Sequence, residues 1–213
     1  QLCIELPTNL NRRETLTMTT ETTKRREDTR RRLVLAAIDE FSRRGIDATS
    51  VEHLCHAAGF TRGAFYSNFA TKDDLCVEIM RHVAQEQVDT YRAALAGLPE
   101  EMTTEQIIAG ILDVNQAGPE VMRTLMEIDL RAYRDPEFGQ RVDEVRKDAW
   151  PSYVDLVTSA AARAGVEFEV DVEDLLLIFE AIWHHPRTAG SGQAGLRNRL
   201  ITAVASRLTR GKA

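Results

Sequence analysis

The chain has 213 residues, 43% of them hydrophobic, which permits a packed core in one large or two small domains. Its formal net charge of −6 argues on its own against nucleic acid, but through Ala70 there are 11 Lys and Arg against 9 Asp and Glu, so the acidic excess belongs to the remainder. No apolar run reaches the ~18 residues of a membrane span, no secretory signal is visible, and Cys3, Cys55 and Cys76 share no metal-ligand spacing. The expectation is a soluble, cytoplasmic protein without cofactor or metal.

Residues 1–17 show no clear periodicity, and Met18 begins a stretch that looks like an ordinary start. Residues 1–23 are therefore expected to be a disordered or non-native extension. Lys24, Arg25, Arg26, Arg30, Arg31 and Arg32 follow as a basic run, which can serve as an arm for phosphates or as a solvated helix start. The first helix is expected over 29–44, with Leu33, Ala36, Ala37 and Phe41 on one face and Gly45 as its stop.

The stretch 49–75, TSVEHLCHAAGFTRGAFYSNFATKDDL, reads as three helix segments with two tight breaks. Thr49 and Glu52 have capping-box spacing, Val51, Leu54 and Cys55 make one apolar face, and Gly59 can take the positive φ that ends a helix. Thr61 is placed to cap a short helix over 62–67, and Thr71 with Asp74 repeats the capping spacing for the next one. Helix, glycine turn and short helix are the outline of a helix-turn-helix, whose second helix enters the DNA major groove. Arg62 would sit in its first turn, where a side chain reaches base edges. Tyr66 and Asn68 carry tips suited to phosphate oxygens, and Phe65 and Phe69 would face inward.

A long helix over 72–98 would join the two halves, with Leu75, Ile79, Val83, Val88, Tyr91 and Leu95 on its inner side. Further helices are expected from Thr103 or Thr104 to 116, over 119–134 with Met122, Leu125, Met126 and Leu130 inward, and from Asp135-Pro136 towards Gly165. Pro151 should kink the last of these near Trp150. Two more helices follow, 172–185 and 196–208, separated by a flexible loop over 188–195. No repeat and no hairpin signal is convincing, and the fold class read from the pattern is all-α. His184 and His185 point about 100° apart on a helix and do not converge on one ion.

Met122, Leu125, Met126, Trp150, Tyr153 and Phe179 combine adaptable thioethers and flat aromatic walls in a way that can hold a mostly apolar small molecule. The same residues would also simply fill a core. Phe179 and Trp183 suit either a pocket or a subunit seam.

The run GFTRGAFYSNFATKDDL resembles the signature of the TetR family (TetR/AcrR type) of transcriptional regulators, strongly from about Arg30 to Val83 and only in architecture beyond. The residues that carry the likeness are Tyr66, Phe69 and Lys72. The resemblance implies a helix-turn-helix DNA-binding domain over 24–75, followed by a ligand-binding and dimerisation domain over 76–213. It implies phosphate contacts from Thr49, Ser50 and Lys72, base contacts from Arg62 and Ala64, and backbone contacts from Tyr66 and Asn68, with Thr61 and Gly63 in the same DNA-facing set. The last two helices would pair with those of a second subunit through Leu176, Phe179, Trp183, Leu196, Leu200 and Val204. A homodimer also follows from the short reading helix, since two of them on a palindromic operator bind far better than one.

The function expected is a repressor of transcription released from double-stranded DNA by a small-molecule effector. The alternative is a ligand-independent or activating regulator controlled by a partner protein. An enzyme is not expected, because no phosphate loop, metal cluster or nucleophile motif is present.

Overall fold

The computed structural model describes residues 11–97, 118–183 and 193–211 and the single positions 99, 103, 106 and 107, with side chains from Thr23 onward except at 183, 193, 194 and 197. In chain order its elements are α1 (Asn11–Arg44), α2 (Val51–Ala58), α3 (Arg62–Tyr66), α4 (Lys72–Gly97), α5 (Pro119–Arg134), α6 (Pro136–Ala164), β1 (Val166–Phe168), α7 (Val172–Trp183), α8 (Gln193–Arg207) and β2 (Thr209–Gly211). Among the described residues the fold is all-α apart from one short strand pair.

α1 begins 18 residues earlier than the apolar face alone suggests. Neither glycine nor proline occurs between Pro7 and Gly45, so nothing local stops the helix from extending back through 11–28, of which the sequence reading places 11–23 in a disordered or non-native extension. The helix expected over 103–116 lies largely outside the described residues. Its capping box is present: Gln106 N donates to Thr103 Oγ1 at 3.3 Å, and Thr103 N to Gln106 Oε1 at 2.8 Å. His184, His185 and most of the 188–195 loop also lie outside them.

The chain divides into two compact units. The first runs to Ile79 and also takes in Pro119–Tyr133. Its core is built from Leu33, Val34, Ala37, Ile38 and Phe41 of α1, Leu54, Cys55 and Ala58 of α2, Phe65 of α3, and Leu75, Cys76 and Ile79 of α4. α5 joins this unit through its polar side chains. Thr124, fully buried, donates from Oγ1 to the Ile38 carbonyl at 2.8 Å. Arg131 binds Asp73 and Asp47. Gly45, at φ +80°, lets the chain turn where a Cβ would stand 3.2 Å from a Glu127 carboxylate oxygen.

This grouping differs from a boundary at 75/76, which would separate α5 from the helices it packs on. The inward face of α5 differs as well. Thr124 and Ile128 are buried, whereas Met126 and Leu130, expected inward, are 44% and 46% exposed.

The second unit takes in Met80–Gly118 and the chain from Arg134. Asp135 caps α6, accepting from Glu137 N and Phe138 N at 3.1 Å, and Pro136 occupies the first helical turn, where its missing N–H is no loss. α6 runs on through Pro151 to Gly165, whose left-handed φ of 64° closes it. The chain then leaves extended as β1 and pairs antiparallel with β2, Glu167 opposite Arg210. Three-residue strands carry too little alternation to be read from sequence, and none was expected. Val83, Val88, Phe138, Val142, Val145, Leu175, Ile201 and Ala205 are buried in this unit.

Candidate nucleic-acid interface

The α2–turn–α3 segment is fixed by local chemistry. Ser50, not Thr49, caps α2 by accepting from His53 N at 3.2 Å. Gly59 ends it in the left-handed conformation at φ 72°, and Phe60 N donates to Cys55 O at 2.8 Å. Thr61 then caps α3, accepting from Ala64 N at 3.2 Å. Phe65 is fully buried with Phe69 behind it, ring centroids 5.8 Å apart, so the short helix is pinned along one side. Thr71 and Asp74 form the reciprocal capping box that opens α4.

What α3 turns outward is Arg62, Gly63, Tyr66 and Ser67, with Thr61 beside them and Ala64 half-buried. Tyr66 is 49% exposed and stands edge-on to Phe65. A Cβ on Gly63 would meet only Thr61 Oγ1, at 3.7 Å, so the surface is open there. Arg62 projects from this face and is held from two sides. Its Nη1 lies 2.6 Å from Glu52 Oε1, and its guanidinium lies 5.9 Å from the Tyr66 ring. The Glu52 carboxyl is held below the usual carboxylate range by its own backbone N–H and then by Arg62.

Three residues expected to touch phosphate are occupied with the protein instead. Thr49 is buried, its hydroxyl donating to Gly45 O at 2.8 Å. Lys72 Nζ donates to Ile46 O at 2.8 Å and Thr49 O at 3.0 Å, tying the start of α4 to the turn before α2. Asn68 turns its Nδ2 back onto Ala64 O at 2.8 Å. A donor within reach of a buried carbonyl is drawn there, because an unpaired carbonyl away from water is costly.

Half of the basic run on α1 has a similar task. Arg32 donates to Ala58 O at 2.9 Å and lies over the Phe60 ring. Arg30 donates to Asn68 O at 2.9 Å, pairs with Glu78 at 2.7 Å and lies over Phe69. Arg26 reaches Ser67 O at 3.4 Å. These cations sit at the carbonyl ends of α2 and α3, where the helix dipole favours them. Lys24, Arg25 and Arg31 are exposed.

The ligand and dimer candidates divide between the units. Met122, Leu125 and Met126 sit on α5 with the first; Trp150, Tyr153 and Phe179 belong to the second. Tyr153 donates to Gln87 Oε1 at 2.9 Å, and burial, then the Glu180 charge, push its phenol up to about 12. On the last two helices Leu177, Ile178, Leu196 and Leu200 are 53%, 38%, 40% and 45% exposed. Leu176, Phe179 and Val204 are half-buried, and the Trp183 side chain lies outside the described residues. Sequence reasoning did not single out Leu177 and Ile178, although their place one turn beyond Glu173 and Asp174 on the charged face of α7 was readable.

Residues 33–79 match the family model for bacterial regulatory proteins of the tetR family. The chain carries the tetR-family domain. The tetR match ends at the last residue that α4 contributes to the first unit. The HTH-type transcriptional regulator AcrR of Shigella flexneri is 32% identical over 115 residues, 52% of this chain and 52% of that protein. The HTH-type transcriptional repressor KstR2 of Rhodococcus jostii (strain RHA1) is 33% identical over 69 residues, 32% of this chain and 34% of that protein. The matched stretch thus spans about half or less of these relatives. In fold the likeness extends further: a protein from Saccharomonospora viridis, solved in complex with choline, aligns over 86% of this chain and 98% of its own with a TM-score of 0.64 at 12% identity.

The sequence reading missed Glu52 as the partner of Arg62, and Arg131 with Asp73 and Asp47. The first could have been found, since Glu52 lies in the first turn of α2 and Arg62 in the first turn of α3. The second joins residues 58 positions apart, and no local pattern announces it.

Proposed function

We propose that this protein is a sequence-specific DNA-binding regulator of transcription that acts as a homodimer, represses, and leaves its palindromic operator when a small, mostly apolar ligand binds the second unit. The observation that carries the reading is the outward face of α3, where Arg62, Gly63 and Tyr66 project from a helix pinned by Phe65 inside a tetR-family domain. The relatives matched in sequence are named as regulators, one of them a repressor, which supports a binding rather than a catalytic role. Exposed leucines and isoleucine on α7 and α8 support a second copy as the partner of that face. A neighbour of the same fold holding choline supports a small-molecule effector.

Release would run through α4, whose first two turns belong to the DNA-binding unit and whose later turns belong to the second. A ligand that prefers one arrangement over the other by ~1–3 kcal/mol would change DNA affinity about 5- to 150-fold. Selection of bound duplexes from a randomised pool, followed by mobility shift on the enriched sequence, tests the reading. A palindrome whose binding falls when Arg62→Ala is introduced is expected; a pool that stays random overturns it.

A further inference from the structure

Resting on the DNA-binding reading above, we propose that Glu52 is a positioning residue that decides what Arg62 recognises: its carboxylate fixes the guanidinium so that the opposite edge is presented to a guanine. The geometry is specific. Glu52 lies in the first turn of α2, Arg62 in the first turn of α3, and Oε1 meets Nη1 at 2.6 Å across the turn. The Tyr66 ring flanks the guanidinium at 5.9 Å. The guanidinium also donates a hydrogen bond to the Tyr66 side chain, so Arg62 is oriented from two sides. With Nη1 on the carboxylate, the edge carrying Nε and Nη2 is the one to be turned to the paired O6 and N7 acceptors of guanine in the major groove. Both side chains remain more than half exposed, 61% for Arg62 and 56% for Glu52, so the pair stands where DNA would arrive.

A carboxylate on this surface has a second effect. It repels phosphates and cancels the charge of Arg62 towards them. Away from a guanine the arginine is then a poor phosphate ligand; opposite one it is already oriented, and little rotamer freedom remains to be lost. Specificity at that base pair thus comes from the pair of residues, through an attractive edge and a built-in repulsion. Glu52 itself touches no base in this arrangement.

The test uses the full chain and a randomised duplex pool, with wild type, Glu52→Gln, Arg62→Ala and the double variant each taken through selection and sequencing. Salt titrations on random duplex and thermal melts at each salt accompany the selection. Wild type should enrich a guanine that Arg62→Ala loses. Glu52→Gln should lose about tenfold or more of the preference at that same position. It should also bind random duplex more tightly at low salt, with a log–log salt slope steeper by about 0.9, and melt only slightly lower because the first turn of α2 loses its carboxylate. In base preference the double variant should look like Arg62→Ala. Glu52→Gln with the wild-type preference and slope overturns the proposal and leaves the DNA-binding function standing. A further change in base preference when Glu52→Gln is added to Arg62→Ala overturns it too, by showing that Glu52 reads a base itself. No enrichment by wild type overturns the function itself.

Discussion

Arg131 of α5 grips Asp73, the second residue of α4, through two parallel contacts, Nε to Oδ1 at 2.8 Å and Nη2 to Oδ2 at 3.2 Å. Its remaining nitrogen reaches Asp47 Oδ1 in the turn before α2 at 3.1 Å. One planar fork thereby joins three separate segments of the DNA-binding unit, and the Asp73 hydrogen bond holds the guanidinium above its ordinary pKa. Arg131→Ala and Asp73→Ala should each lower unfolding free energy by about 1 kcal/mol, with the double variant costing clearly less than the sum. Urea unfolding of the four proteins checks this; strict additivity would show that the pair is idle.

Gly63 separates fold from function on α3. It is exposed, and an added Cβ meets nothing closer than 3.7 Å. Gly63→Ala should therefore hold or raise the melting point, since alanine favours the helix by up to ~1 kcal/mol. Gly63→Leu should leave circular dichroism intact and weaken DNA binding at least tenfold, because its side chain would stand where the groove must approach. Undiminished binding by Gly63→Leu in a mobility shift would move the reading face elsewhere.

Leu200 tests the assembly. It is 45% exposed on α8, one turn from Leu196. Leu200→Asp in a dimer seam buries an unpaired charge, so the dissociation constant should rise ~100-fold or more. Sedimentation should show a helical monomer that no longer protects a palindrome. A variant that sediments like wild type would place the seam on another surface.

Tyr153 offers a pH signature. Its phenol is raised from 10.0 to about 12, first by burial and then by Glu180. The stabilisation belongs to the neutral form, so it is complete below pH ~10 and is lost as pH rises towards 12. Absorbance titration should show one of the four tyrosines ionising late, and that step should vanish in Tyr153→Phe. Stability should fall less steeply over the same window in the variant.

The sequence announces segments better than partners. Gly59, Thr61 and the Thr71–Asp74 box define the helix-turn-helix because caps and left-handed glycines act on their nearest neighbours. The destination of a polar side chain is a different matter. Thr49, Asn68 and Lys72 each had a choice among water, phosphate and a carbonyl, and spacing does not rank those choices. Likewise the pattern of α5 shows that one face is apolar, while its place beside α1 and α4 depends on Thr124 and Arg131 finding acceptors far along the chain. The start of α1 is not legible because residues 11–28 carry no apolar rhythm, and a helix can run without one.

Because Lys72 has its ammonium against Ile46 O and Thr49 O, that amine is a gauge of whether the turn before α2 is shut. Acylating reagents need an accessible amine, so Lys72, half-buried with its amine on two carbonyls, should label slowly beside the exposed Lys24 and Lys147. Quantifying the three adducts by mass spectrometry, with and without added duplex, would follow the posture of the reading unit in solution with no engineered probe.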